Sequence, residues 1–296
     1  MIIHGDCLEF LRKTPPGKVK AMFADVPDNI GFDYGEENIY RDRLDPETYY
    51  LWLKLLIIEA VSRCEIFWLS YNQIHDLEIC SLVLELIKGR KVEGYEGKKY
   101  GAIFPTVEVD KFIWNYTFGQ YNDSDCTSGY RPILRFRWTG NKPRDGGKRP
   151  GTYSDNRLGR LNVDSIREVS GRMLLGDGRA AGPRVPANVW AFPRIVGNSW
   201  ERVPEIPTQH PIKLMERIIL FSTFPGECFV DLFAGSGSSL RANKLGLGPG
   251  GEQRYVFGVE ISKQYCALMV EKQLGEVIEV GDFDWSRLRG DEWGWL

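Results

Sequence analysis

From Cys228 to Leu240 the apolar run Cys228-Phe229-Val230 passes through Asp231-Leu232-Phe233 into the small-residue loop Ala234-Gly235-Ser236-Gly237-Ser238, and then into helix-compatible residues. A strand, a glycine loop and a helix in that order point to an α/β fold. Gly235 and Gly237 permit positive φ and close backbone approach, so amides at the helix start can face a bound ligand. A Gly-x-Gly alone occurs in many tight turns. The added signal is Tyr255-Val256-Phe257-Gly258-Val259-Glu260-Ile261, a second strand whose carboxylate falls about twenty positions on, where it can reach ribose hydroxyls. Together the two segments predict nucleoside binding. Leu240 occupies the third glycine position of the dinucleotide fingerprint, which disfavours a dinucleotide.

A second segment carries chemistry. Val19-Lys20-Ala21-Met22-Phe23-Ala24 has the composition of a buried strand, and Pro27 and Gly31 stop regular structure after it. Asp25 then sits at a strand's carboxyl end, the edge of an open α/β sheet where ligands bind. Alone it could equally cap a turn.

The loop Asp231 to Ser238 resembles the S-adenosylmethionine loop D-x-F-x-G-S-G-[ST] of DNA amino-methyltransferases. Ile2-Ile3-His4-Gly5-Asp6-Cys7 resembles that family's Gly-Asp-Cys segment near the cofactor adenine, and Pro207-Thr208-Gln209-His210-Pro211 resembles its Pro-Thr-Gln-x-Pro helix start. The catalytic segment precedes the cofactor loop, the permuted, β-type order. The likeness spans about residues 1–120 and 186–275.

This resemblance implies a Rossmann-like methyltransferase fold: a mostly parallel sheet, an antiparallel edge hairpin and an inserted target-recognition region. It implies cofactor contacts from Asp6, Cys7, Thr208, Gln209, Pro211, Asp231, Phe233, Ala234, Gly235, Ser236, Gly237, Ser238 and Glu260, and a catalytic turn of Asp25, Val26, Pro27 and Asp28. The implied reaction moves a methyl group from S-adenosylmethionine to an exocyclic amine of a base flipped out of double-stranded DNA. Because that amine's lone pair is delocalised into the ring, acceptors such as the Asp25 carboxylate and the Val26 carbonyl would pull the nitrogen towards a nucleophilic geometry. In the family that the chain resembles, an aspartate opening the turn favours adenine N6 over cytosine N4.

The family's usual turn is Asp-Pro-Pro-Tyr. Here Val26 replaces the first proline and Asp28 stands where the tyrosine would be. The loss of that aromatic face removes about 1–3 kcal/mol of base stacking. Phe32 and Tyr34 are the nearest base-stacking candidates, and the alternative is that Asp28 reads the base's Watson–Crick edge. Two other readings stay open: a DNA-binding protein that keeps the fold with little catalysis, and an RNA or protein amine methyltransferase. A cognate restriction endonuclease and a homodimer are the family's further associations.

A formal net charge of −2 does not by itself mark a nucleic-acid binder, but the average hides a basic stretch between Tyr130 and Arg202. Arg135, Arg137, Lys142, Arg144, Lys148 and Arg149 are the DNA-contact candidates. The expected organisation is a catalytic half over residues 1–138, a target-recognition insertion over 139–185 and a cofactor-binding half over 186–296. The six cysteines lack Cys-x-x-Cys spacing and read as reduced thiols. With no leader expected ahead of Gly5-Asp6 and no membrane-length apolar stretch, a cytoplasmic protein is expected. His4, His75 and His210 are too dispersed for a zinc site, so no metal is expected.

Local signals fill in the rest. Asp45-Pro46 predicts a helix start and Ile66 to Leu69 a strand. A helix is expected from about Ile74 to Lys88, ending at Gly89, followed by a mobile connection over the cleft through residues 90–110. Phe112 to Gly119 and Pro132 to Trp138 read as the two strands of a hairpin.

Overall fold

A computed structural model describes residues 1–16, 18–32, 42–91, 99–100, 102–116, 128–139, 161–162, 185–247 and 254–288. The apolar runs form the strands of one nine-stranded sheet. Its members are β1 (Ile2–His4), β2 (Val19–Asp25), β3 (Cys64–Ser70), β6 (Val107–Asn115), β7 (Tyr130–Trp138), β8 (Val189–Ala191), β9 (Cys228–Asp231), β10 (Tyr255–Glu260) and β11 (Val277–Glu279). The order is β11-β1-β10-β9-β2-β3-β7-β6-β8. From β11 to β3 every neighbour runs parallel. The expected hairpin is β6–β7, with β6 starting at Val107 rather than Phe112 and the expected strand's end, 117–119, lying outside the described residues; it is antiparallel and joined antiparallel to β3, with β8 added parallel outside β6. A separate two-stranded ladder pairs β4 (Arg90–Lys91) with β5 (Lys99–Tyr100).

The pleat divides each buried strand between two cores. Met22, Ala24, Phe67, Leu69 and Val230 face α1 (Cys7–Lys13), α2 (Pro46–Arg63) and α3 (Asp76–Lys88). Ala21, Phe23, Ile66, Trp68 and Phe229 face α4 (Ile212–Ser222), α5 (Ser238–Lys244) and α6 (Lys263–Glu271). A sheet buried on both faces requires near-continuous apolar strands, which is why β2, β3 and β9 do not alternate with polar residues.

Helix starts follow their capping chemistry. Asp45 accepts from the Thr48 N–H ahead of Pro46 at the first turn of α2. α3 begins at Asp76 rather than Ile74, because Asn72 first caps a short 3₁₀ turn over Gln73–His75. The connection expected to cross the cleft between 90 and 110 is instead tied down in its described part: Phe104 is buried in the α3 core and its N–H donates to the Leu86 carbonyl. Leu161 and Asn162 pack on and bond to the end of α4; apart from them and its flanks, the expected insertion over 139–185 lies outside the described residues. Cys7, Cys64, Cys80 and Cys228 are free thiols, and burial pushes those of Cys7, Cys64 and Cys228 above the ordinary thiol range. Cys126 lies outside the described residues. No described helix is long and apolar enough to cross a membrane.

Candidate active site

β2 ends at Asp25, and the chain leaves the sheet through a turn held from several sides. The Val26 N–H donates to the Ser70 carbonyl at 3.1 Å, and Tyr49 Oη donates to the Pro27 carbonyl at 2.8 Å. His75 Nε2 donates to the Asp28 carbonyl at 2.7 Å, with its Nδ1 bonded to Tyr50 Oη at 2.9 Å. The Val26 carbonyl has no hydrogen-bond partner among the described residues. Beyond the turn, the Asp42 carboxylate accepts from four successive backbone amides, those of Asn29, Ile30, Gly31 and Phe32, at 2.7–3.1 Å. A carboxylate that gathers neighbouring amides in this way fixes the loop's path.

Both carboxylates of the turn meet one guanidinium. Arg131, on β7, donates from Nε (3.0 Å) and Nη2 (2.7 Å) to Asp25 Oδ1, and from Nη2 (2.9 Å) and Nη1 (3.3 Å) to the two oxygens of Asp28. Its Nε also reaches Ser70 Oγ at 2.9 Å, and Asn72 Nδ2 donates to Asp28 Oδ2 at 3.1 Å. Burial works against the Arg131 charge, and Asp25 and Asp28 more than offset it, holding the guanidinium above the ordinary arginine range. On the far side of Asp25, His210 Nδ1 lies 3.4 Å from Oδ2. Burial lowers the His210 pKa despite the pull of Asp25, so the ring is neutral at neutral pH, packed between Trp114 and Phe23.

The glycine loop is built from its own carboxylates. Asp231, buried at the end of β9, accepts from the Phe233 N–H (3.2 Å) and from Ser239 Oγ (2.7 Å). Glu260, at the end of β10, accepts from the Gly235 N–H (2.8 Å) and the Ser262 N–H (2.9 Å). Gly237 has φ +73°, and a Cβ there would lie 2.5 Å from Leu274 Cδ1. Ser238 Oγ donates to the His210 carbonyl at 2.8 Å, which ties the loop to the Thr208–Pro211 segment.

Because β2 and β9 are neighbours, the Asp25 turn and the glycine loop open side by side onto one cavity of about 180 Å³. Trp52, Ile206, Leu232, Phe233 and Val259 supply its apolar wall; Asp6, Glu260 and Ser262 supply polar groups, with Asp25, Asp28 and Arg131 at the turn. An apolar wall with a few convergent polar groups suits a nucleoside. Glu260 spends two acceptor positions on backbone amides, and an ionised carboxylate offers about four, so it can still take ribose hydroxyls.

A family model described as DNA methylase, covering N6 and N4 amino-methyltransferases, matches residues 19–271. The chain belongs to the DNA methylase family. Among relatives of this methylase, the DNA adenine methyltransferase YhdJ of Escherichia coli K12 is 28% identical over 284 residues, covering 90% of this chain and 80% of YhdJ. The type II methyltransferase M.HpaI of Haemophilus parainfluenzae is 33% identical over 288 residues, covering 92% of this chain and 73% of its own. Solved structures share the fold: the cytosine-N4-specific PvuII DNA methyltransferase has a TM-score of 0.58 at 12% identity, covering 97% of this chain and 89% of that one. M1.HpyAVI, solved as a complex with S-adenosylmethionine, has a TM-score of 0.52 at 14% identity, covering 92% and 98%.

In this methylase the sequence-derived candidates separate into two shells. Asp6, Cys7, Asp25, Val26, Pro27, Asp28, Thr208, Phe233, Gly235 and Glu260 line the cavity. Gln209, Pro211, Asp231, Ala234, Ser236, Gly237 and Ser238 stand behind it: Gln209 Oε1 accepts from the Val203 N–H, Pro211 precedes α4, and the others hold the loop's shape. Asp6 also caps α1, accepting from the Leu8 and Glu9 amides. Phe32 is anchored to Asp42 and is not among the lining residues. Arg135 is a correction. Rather than facing DNA, its head group is buried over the rings of Trp68, Phe112 and Phe221 and paired with Asp110, because the parity of β7 turns it into the core. Arg137 is paired with Glu108 across the hairpin, so its charge is already compensated. Tyr34, Lys142, Arg144, Lys148 and Arg149 lie outside the described residues. The lining residues that were not candidates include Arg131, Trp52, Ile206, Ser262 and Tyr265. No motif marks Arg131; the only sequence sign of it is the unexplained second acid at Asp28.

Proposed function

We propose that the chain methylates an exocyclic base amine of a nucleotide flipped out of duplex DNA, with adenine N6 the preferred target. The observation that carries this reading is the pairing of β2 with β9, which sets an acceptor pair, the Asp25 carboxylate and the unpartnered Val26 carbonyl, beside the glycine loop on a single cavity. Two acceptors held at the end of a strand can take the two hydrogens of one amine, and the fixed turn means they need no rearrangement to do so.

The cofactor would be held by Glu260 at its sugar, by the Gly235 loop, and by the wall of Phe233, Ile206 and Trp52. When bound there, S-adenosylmethionine supplies an electrophilic methyl group on a sulfonium. The chain's own part is to orient the amine and exclude water. An aspartate opening the turn, and the relative named as a DNA adenine methyltransferase, support adenine as the base. The basic stretch on either side of residue 144 supports duplex DNA as the polymer. A type II restriction endonuclease partner is a further part of this reading, supported by the type II relative.

The test is to incubate the protein with genomic DNA and methyl-labelled cofactor, digest to nucleosides and identify the labelled base by mass. N6-methyladenine is expected. N4-methylcytosine in its place would move the target base, and no labelled base from any DNA would overturn the reading.

A further inference from the structure

We propose that Arg131 is the positioning residue of the methyl-transfer site, holding Asp25 in the orientation that receives the amine, and that Asp28 is retained as Arg131's counter-charge. This rests on the proposed methyl transfer to a base amine.

A guanidinium has two hydrogen-bonding forks in one plane, and Arg131 uses both. The Nε/Nη2 fork closes on Asp25 Oδ1 and the Nη1/Nη2 fork on Asp28. Asp25 is thereby fixed in rotation, with Oδ1 carrying two N–H groups and Oδ2, 3.4 Å from Nδ1 of the neutral His210, keeping acceptor capacity for the amine. In the family's usual turn, the place of Asp28 holds an aromatic that needs no counter-ion. Here a second carboxylate beside Asp25 would be repelled unless a cation lay between them, and a buried arginine bound to only one acid would leave half its donors unmet. The acid at 28 and the arginine at 131 therefore explain each other. Arg131 comes from β7, and the register that sets it opposite Trp114 and its bond to Ser70 of β3 make its position a property of the sheet rather than of a loop. Asp25 is aimed by the scaffold, from across two strands.

The experiment measures single-turnover methyl transfer to duplex DNA beside calorimetric cofactor affinity for wild type, Arg131→Lys, Arg131→Met and the double variant Arg131→Met/Asp28→Tyr. Arg131→Lys keeps the charge but loses the forks; its transfer rate is expected to fall by about a hundredfold or more, with cofactor affinity within about threefold of wild type. Arg131→Met is expected to be slower still, and the double variant, which removes the orphaned acid and restores the aromatic, to recover at least tenfold over Arg131→Met. Should Arg131→Met not fold, the lysine variant decides alone. An Arg131→Lys enzyme that transfers methyl within threefold of wild type overturns the positioning role, as does parallel loss of cofactor affinity and transfer, which would make Arg131 merely structural. A wild-type protein that methylates no DNA overturns the proposed function itself, and the role of Arg131 with it.

Discussion

Asp231 shows how a single side chain can serve the glycine loop without touching the cavity beside it. Its burial, reinforced by Asp25 and Glu260 and opposed by the bonds from Ser239 and Phe233, raises its pKa from 3.8 to about 7. A carboxyl whose pKa is raised on folding favours the native state most when protonated. The contribution is complete below about pH 4 and is lost as pH rises through about 7. Asp231→Asn keeps an acceptor and cannot ionise, so its melting temperature relative to wild type should rise from pH 5 to pH 8.5. A constant difference across that range would show that Asp231 does not titrate there. At this scale the sequence is legible where a residue type admits one use, as with Gly237 at positive φ. It is not legible where a charge meets a distant partner. Arg131 lies 106 positions from Asp25, and only the sheet brings them together.

At the scale of elements, capping and turn chemistry are local and therefore readable. Asp45-Pro46 starts α2 and Gly89 ends α3 as the sequence predicts. The hairpin strands are also legible, because aromatic and β-branched runs have few other uses. Strand parity within them is not, which is how Arg135 passes for a DNA contact while standing over three rings in the core. Two loops carry the element-level predictions. Gly237→Ala forces a Cβ against Leu274 in a left-handed turn, a cost of about 1–3 kcal/mol, and should weaken cofactor binding measured by calorimetry. Asp42→Ala deprives four amides of their shared acceptor; it should slow methyl transfer and lower the melting temperature while cofactor affinity stays near wild type. Unchanged transfer in that variant would show that the loop after the turn takes no part in holding the base.

For the whole molecule, the order of strands does the work that no segment does alone. Two motifs about two hundred residues apart in sequence become neighbours because β9 inserts between β10 and β2. That arrangement is foreseeable from family likeness rather than from physics, since nothing local specifies which strand pairs with which. The same likeness assigns DNA binding to the basic stretch around residue 144, and this is testable in solution. Alanine at Arg144, Lys148 and Arg149 together should weaken DNA binding and flatten the dependence of log affinity on log salt by about 0.9 for each phosphate no longer neutralised, with cofactor affinity unchanged. An unaltered salt slope would move the DNA interface elsewhere. Asp25 is proposed to act on the base amine beside a cofactor held by the neighbouring loop. The direct measurement is single-turnover methyl transfer by Asp25→Ala against wild type, with cofactor affinity determined on the same preparations. Transfer abolished with cofactor affinity intact is the predicted result, and a variant that methylates DNA at the wild-type rate would contradict it.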